Sequence, residues 1–439
     1  MKRVLIITYY WPPSGGSGVQ RWLKFVKYLP TFGWQPVVYT PSNPESPATD
    51  PSLEREVPQE AVVIKRPISE PYQAYKRLFG KGGDKGGAAV VNPINQSGKK
   101  SFIQKVSLWV RANLFIPDPR ISWVGPSVSY LTKYLEDNPV DAIVSTGPPL
   151  SMHLIARELH RRLGIRWVAD FRDPWTEIFY FKHLPMTRWA KRRHKSLERS
   201  VVQEADAVVS VTRQMTADFA SLLENGTRKG KLHTICNGYD EADFITAEPV
   251  APEEKFTLTH TGLFSADGNP LKLWETLAQL CREDDSFSKA LKIRLIGKVD
   301  REVLDAIDRN GLTPSLENMG YLPHSQIPNI QQSAWGLLLP LRNEPESKAI
   351  LTGKFFEYLA AGRPIVAFGP QDGEMARVLK ETHSGEIFEW EEADSLKKHI
   401  LDLYRIYCSG IWATDADRTA ITKYSRRTLT SEMVEVLKK

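Results

Sequence analysis

Short apolar runs rich in β-branched residues alternate with helical stretches along most of the chain, which restricts the fold to an α/β class built on parallel sheets. Residues 3–8 form the first such run. Pro12, Pro13, Gly15, Gly16 and Gly18 then break regular structure. After them Val19, Trp22, Leu23, Val26 and Leu29 fall at helical spacing, with Arg21, Lys24 and Lys27 on the opposite face. Residues 36–40 resume as a strand. Further strands are expected at 141–145, 167–170, 206–211 and 232–235, with a helix over 150–163. Asn237 and Gly238 give a turn signal. A second series then places strands at 256–260, 292–296, 335–340 and 364–368, and helices near 271–281, 303–309 and 353–361.

A chain of 439 residues suits two domains. The expected division is 1–245, 246–410 and a C-terminal helical segment, 411–439, that packs back toward the first domain. Residues 80–100 hold six Gly and four Lys and read as a mobile loop. Residues 102–115 follow, with Val106, Trp109 and Val110 on one side. They read either as an interfacial amphipathic helix or as a helix packed on the first domain. A second basic segment, 182–199, carries Lys182, Arg188, Lys191, Arg192, Arg193, Lys195 and Arg199 around Trp189.

Charge is unevenly spread. Residues 1–240 hold 34 Lys and Arg against 21 Asp and Glu, and the remainder holds 24 against 31. A basic half beside an acidic half points to an anionic partner such as a phosphate or a membrane surface, or else to solvated helix faces alone. No apolar run reaches 18 residues, so no bilayer-spanning helix is expected, and residues 4–7 read as a strand rather than a signal peptide. Three well-separated cysteines, Cys236, Cys281 and Cys408, argue against a disulfide framework or a zinc site and for a reduced cytoplasm.

Three constellations carry chemistry. Ser14-Gly15-Gly16-Ser17-Gly18 lies between strand and helix, where glycines let backbone approach a phosphate and the helix N-terminus offers free N–H groups. Its spacing is not a dinucleotide fingerprint, and no acid ends the second strand, so a plain tight turn is the alternative. Around 338–366 a strand ends, a polar loop follows, and a helix opens near Gly353 with Lys354 and Glu357 three apart. That arrangement suits an anion at the helix start and hydroxyls at Glu357, or a solvated salt bridge. Asp170, Arg172 and Asp173 beside Trp175 sit at the carboxyl edge of a parallel sheet, where they orient a sugar hydroxyl or form a structural ion pair.

At these residues the sequence resembles retaining glycosyltransferases of family 4, which have the GT-B fold. Residues 354–364 look like that family's C-domain signature, in which a glutamate precedes an alanine-rich turn, Gly and Pro. The loop at Gly15 to Gly18 is similar to its N-terminal donor loop, Asn237-Gly238-Tyr239-Asp240 to the turn before its interdomain linker, Thr261-Gly262 to the glycine opening its C-domain, and Gly320-Tyr321-Leu322-Pro323 to its base-contacting loop. These motifs span nearly the whole chain in consistent order.

The resemblance implies two facing Rossmann-like domains with a cleft between them, the acceptor on the first and a nucleotide-sugar donor on the second. It implies that Glu357 holds the ribose hydroxyls, that Gly15, Gly16, Gly262 and Tyr321 line the donor, and that Lys354 and Arg342 neutralise the diphosphate without a bound metal or other cofactor. Asp173 falls where the family places a polar acceptor-side residue. Asp118, Arg120, His153, Asp170 and Arg172 complete the expected acceptor side, His153 reading as a residue of a helix's first turn rather than as a catalyst. Two departures stand out. The family's second glutamate, eight positions before Glu357, is Ala349 here, and residues 263–270 lack the Arg and Lys that the family often has after the C-domain glycine.

The expected function is hexosyl transfer, with retention, from a nucleotide-diphosphate sugar to a lipid-linked or glycan acceptor in cell-surface polysaccharide or glycolipid assembly. The expected location is the cytoplasm, peripheral to the inner face of the membrane. The rival classes are a hydrolysing epimerase of the same fold and a non-catalytic nucleotide-sugar or membrane-binding protein. A nucleic-acid partner is not expected, because the basic residues form no recognition motif.

Overall fold

Each run read as a strand pairs in parallel with its neighbours in the computed structural model, which describes residues 1–46, 49–69, 102–178, 181–224, 229–245, 250–412 and 414–439. The expected loop at 80–100 lies outside the described residues. The chain forms two compact units, Met1–Cys236 with Thr430–Lys439, and Asn237–Leu429.

The first unit holds β1 (Lys2–Ile7), β2 (Trp34–Pro41), β3 (Val62–Arg66), β4 (Ala142–Gly147), β5 (Arg166–Phe171), β6 (Ala207–Ser210) and β7 (Leu232–Thr234). They lie in the order β3-β2-β1-β4-β5-β6-β7. β1 and β4 are central and buried through most of their length, as continuous apolar strands with helices on both faces must be. Leu5 and Ile7 of β1, Ile143 of β4, and Trp167 and Ala169 of β5 enter one core. The last ten residues return to this unit, where Arg166 Nη2 donates to the Val436 carbonyl at 2.9 Å.

The second unit holds β8 (Phe256–Thr261), β9 (Leu291–Ile296), β10 (Leu316–Gly320), β11 (Gly336–Pro340), β12 (Ile365–Phe368) and β13 (Gly385–Phe388), in the order β10-β9-β8-β11-β12-β13. Its own core takes Leu258, Ile293, Leu295, Leu338 and Val366. In each sheet the strand order reverses once, between β1 and β4 and between β8 and β11. Crevices at the carboxyl ends of strands flanking such a reversal are where open α/β sheets bind ligands.

The helix expected after the glycine turn is Ser17–Tyr28, and two of the three basic residues opposite its apolar stripe turn inward. Arg21 and Lys24 are almost fully buried. Each is closed in by a carboxylate brought from elsewhere, Asp170 for Arg21 and Glu56, 2.6 Å away, for Lys24.

Candidate functional site

In the first unit the loops after β1, β4 and β5 meet at the switch point. Gly16 caps the Ser17–Tyr28 helix with φ 91°, a left-handed conformation that favours glycine. Arg172, just beyond β5, donates to the Gly18 carbonyl and to the carbonyls of Gly147 and Pro148. It therefore ties the glycine loop to the loop that follows β4. Beneath it, Asp170 is fully buried. Its oxygens accept from Arg21 Nη2 at 2.7 Å, Trp22 Nε1 at 2.8 Å and Thr146 Oγ1 at 2.9 Å. Burial pushes its pKa up, but the Arg21 charge and these hydrogen bonds outweigh burial and hold it below the usual carboxylate range.

Most of the expected acceptor side faces protein partners. Asp170 and Arg172 brace the loops and have their polar atoms turned to protein. His153 is fully buried with Nδ1 2.8 Å from Ser145 Oγ and its ring on Phe171, and burial lowers its pKa to about 3. Asp118 accepts from the Ser151 amide at 2.8 Å and its hydroxyl at 2.9 Å, fixing the start of the Ser151–Leu163 helix. Arg120 is buried over the Tyr9 ring and 3.4 Å from Glu45. Asp173 alone of the set is exposed as a residue, yet burial around its carboxyl raises its pKa against the lowering Arg172 charge.

The Arg188–Glu204 helix, which sequence reading treated only as a basic segment, braces the Asp173 loop. Its inner face carries His194 and Glu198. Trp175 Nε1 donates to His194 Nδ1 at 3.1 Å, and Thr176 donates from its hydroxyl to Glu198 at 2.6 Å. Burial lowers the His194 pKa to about 4 and raises that of Glu198. The outer face exposes Arg188, Lys191, Arg192, Arg193 and Lys195, with Trp189 64% exposed. The Phe102–Leu114 helix lies alongside it. Its Asn113 is buried, donating to the Pro185 carbonyl at 2.9 Å and accepting from the Thr187 amide at 2.7 Å, while Trp109 stays 45% and Leu114 64% exposed. The helix thus packs on the unit by one side and presents apolar residues by the other.

In the second unit the expected donor residues collect at the carboxyl edge of the sheet. Gly262 follows β8, Tyr321 follows β10, and Arg342 follows β11. The Gly353–Ala361 helix begins at Thr352, whose hydroxyl accepts from the Phe355 amide at 3.3 Å. Lys354 from its first turn crosses Gly262 so closely that a Cβ there would lie 3.0 Å from Lys354 Cδ, on a backbone with φ +94°. Lys354 Nζ donates to the Leu263 carbonyl at 3.0 Å and stands 3.4 Å from His260 Nε2. Burial lowers its pKa to about 8, with Glu357 opposing the shift.

Glu357 keeps 31% of its side chain exposed, with His324 Nε2 3.6 Å from one oxygen and Gln331 Nε2 3.5 Å from the other. Gln331 also donates to Thr261 Oγ1 at 3.1 Å. Arg342 is paired with Asp267 at 3.1 Å, so that part of its charge is already answered. Tyr321 is 86% exposed. Sequence reading missed His260, Gln331 and His324, which lie far from Glu357 in sequence and in no motif. Ala349 ends a short turn of 3₁₀ helix, Pro345–Ala349, and offers no polar group there.

The family model for a glycosyl transferase 4-like domain matches residues 98–238, and that for glycosyl transferases group 1 matches 256–405. No curated protein matches the sequence. Among solved structures, a glycosyltransferase from Rickettsia africae superposes with a TM-score of 0.62 at 14% identity, covering 100% of this chain and 98% of its own. WaaG, a glycosyltransferase involved in lipopolysaccharide biosynthesis, gives 0.50 at 14%, covering 98% and 93%. TarM from S. aureus, in complex with Fondaparinux, alpha-GlcNAc-glycerol and UDP, gives 0.59 at 10%, covering 100% of both. With two Rossmann-like parallel-sheet units, each matched by a glycosyltransferase model, the chain is a glycosyltransferase of the family-4 type with the GT-B fold.

Proposed function

We propose that the protein moves a hexosyl group, with retention, from a nucleotide-diphosphate sugar to a lipid-linked or glycan acceptor in cell-surface polysaccharide or glycolipid assembly. The observation that carries this reading is Lys354, an ammonium at the carboxyl edge of the second sheet, at the start of a helix and in the same helix as Glu357. Glycosyl transfer passes through an oxocarbenium-like state, so the departing diphosphate is what most needs stabilising. Lys354 supplies a cation and the helix start supplies N–H groups. Residues 263–270 lack basic residues, and Lys354 brings an ammonium to the Leu263 carbonyl of that loop from the other side of the switch point. Glu357 accepts from the ribose hydroxyls, Tyr321 stands by the base, and Arg342 adds charge beside the diphosphate.

In the first unit Gly15 and Gly16 are read as donor-loop residues and Asp173 as the acceptor-side carboxylate. Asp118, Arg120, His153, Asp170 and Arg172 set the shape of the acceptor side from beneath. No metal takes part in this reading. UDP is bound by TarM, and WaaG works in lipopolysaccharide biosynthesis, which favours a nucleotide sugar and a cell-surface acceptor here as well. The exposed Trp109 and Trp189 among basic residues favour a cytoplasmic protein held at the anionic inner face of a membrane. No helix among the described residues is long and apolar enough to cross one.

Donor turnover measured with and without a polyprenyl-phosphate-linked acceptor, each in the presence and absence of EDTA, tests this reading. Acceptor-dependent transfer that survives EDTA supports it. Donor consumed equally without acceptor points to the epimerase class, and binding without turnover to a non-catalytic role.

A further inference from the structure

His260 is fully buried near the end of β8, two residues before Gly262. Its Nδ1 lies 2.9 Å from the Leu338 carbonyl on β11. A carbonyl only accepts, so Nδ1 carries the proton and Nε2 is left with a lone pair. Nε2 has two neighbours, the Leu263 carbonyl at 3.3 Å and Lys354 Nζ at 3.4 Å. An unprotonated nitrogen has nothing to give the carbonyl, so its partner is the ammonium. The ring is held from the side by Phe264, 4.4 Å away between centroids. Burial first, and the Lys354 charge second, lower the His260 pKa to about 3, so the imidazole stays neutral.

Lys354 is otherwise a flexible four-carbon stem with three rotatable donors. Two of its N–H groups go to Leu263 and His260, and one remains. A carboxylate in place of the imidazole would hold the ammonium just as well, but it would also cancel the charge that attracts a phosphate. A neutral acceptor fixes the cation and leaves its charge intact.

We propose that His260 is a positioning residue for the nucleotide-diphosphate donor: its Nε2 lone pair accepts from Lys354 Nζ, fixes the ammonium over Gly262 and leaves the third N–H for a phosphate oxygen. This rests on the reading of Lys354 as the diphosphate-binding cation. His260→Asn keeps a donor for Leu338 and loses the acceptor at the Nε2 position, whereas His260→Gln can place an oxygen near it.

The test combines spectroscopy of the unaltered protein with binding of UDP or GDP, whichever binds, against its nucleoside. Nitrogen-15 chemical shifts should place the His260 proton on Nδ1 and show no titration between about pH 5 and 8, and the Nε2 signal should move in Lys354→Met. His260→Asn should weaken diphosphate binding about tenfold while leaving nucleoside binding unchanged, and His260→Gln should recover most of the loss. A proton on Nε2, or a ring that titrates in that range, overturns the proposal even if the variants fail to fold. If Lys354→Met loses diphosphate affinity and a folded His260→Asn does not, the positioning role alone falls. If Lys354→Met binds as the native protein does, the reading of Lys354 falls and takes the proposal with it.

Discussion

Arg21 and Asp170 face each other across 2.7 Å with both side chains closed to solvent. Removing one partner of such a pair leaves the other charge buried without compensation, at a cost of about 3–5 kcal/mol. Asp170→Ala should therefore lower the stability of the first unit by that order, and Asp170→Asn by less, because the amide oxygen still accepts. Denaturant unfolding followed by tryptophan fluorescence measures both. A loss under about 1 kcal/mol in Asp170→Ala would show that the pair is not a fixed part of the fold.

Glu357→Ala should weaken donor binding by about 1.5–3 kcal/mol, the range for hydrogen bonds to a charged group. Titration calorimetry with nucleoside diphosphates reads this directly. Unchanged affinity in a folded variant would remove Glu357 from the ribose.

Binding should also depend on pH through Lys354, whose pKa is lowered to about 8 from 10.5. Below pH 8 the ammonium is charged in both folded and unfolded chains, and its burial is a penalty to the fold. Between about 8 and 10.5 only the folded chain has released the proton, so that penalty is lost as pH rises and the Lys354 contribution to stability improves. Diphosphate affinity should move the other way and decline over the same window. Lys354→Arg stays charged throughout, so a decline that persists unchanged in that variant would assign the titration to another group.

Gly16→Val should abolish turnover with the unit still folded. A branched side chain resists the positive φ and fills space beside the loop. Normal steady-state rates in this variant would reduce the glycine loop to a turn.

The exposed tryptophans and basic residues predict salt-sensitive membrane binding. Each Lys or Arg near an anionic bilayer contributes about 1 kcal/mol, and salt screens the attraction over roughly 10 Å at 0.1 M. The protein should sediment with anionic vesicles at low salt, leave them at high salt and ignore neutral ones. Replacing Arg188, Lys191, Arg192 and Lys195 with Ser should weaken sedimentation without loss of donor binding. No sedimentation of the unaltered protein at low salt would point to a soluble acceptor.

Several central strands were readable because burial on both faces writes them as apolar runs, as at the core of β1, β4 and β12, whereas β8 alternates Phe and Leu with Thr and His although it is buried throughout. The three strands that sequence reading passed over, β3, β10 and β13, all lie at sheet edges. Leu316–Gly320 is half-exposed and shows no such run, whereas Val62-Val63-Ile64 does form a short β-branched run that sequence reading passed over. The site was legible to the extent that its residues sit in one segment, as Lys354 and Glu357 do. His260 and Gln331 reach Lys354 and Glu357 only through strand and helix placement. Arg21 misled for the same reason: helical spacing puts it opposite the apolar stripe, and only its partner, 149 residues away, makes burial affordable.

The Arg188–Glu204 helix carries its outward charges and its inward braces within one turn of each other, Lys191 and Lys195 beside His194 and Glu198. A rod of this stiffness cannot shift on one side and stay put on the other. The helix that presents the outer charges is therefore the same one that holds Trp175 and Thr176, and with them the Asp173 loop, so a force on its outer residues would reach that loop through a single element.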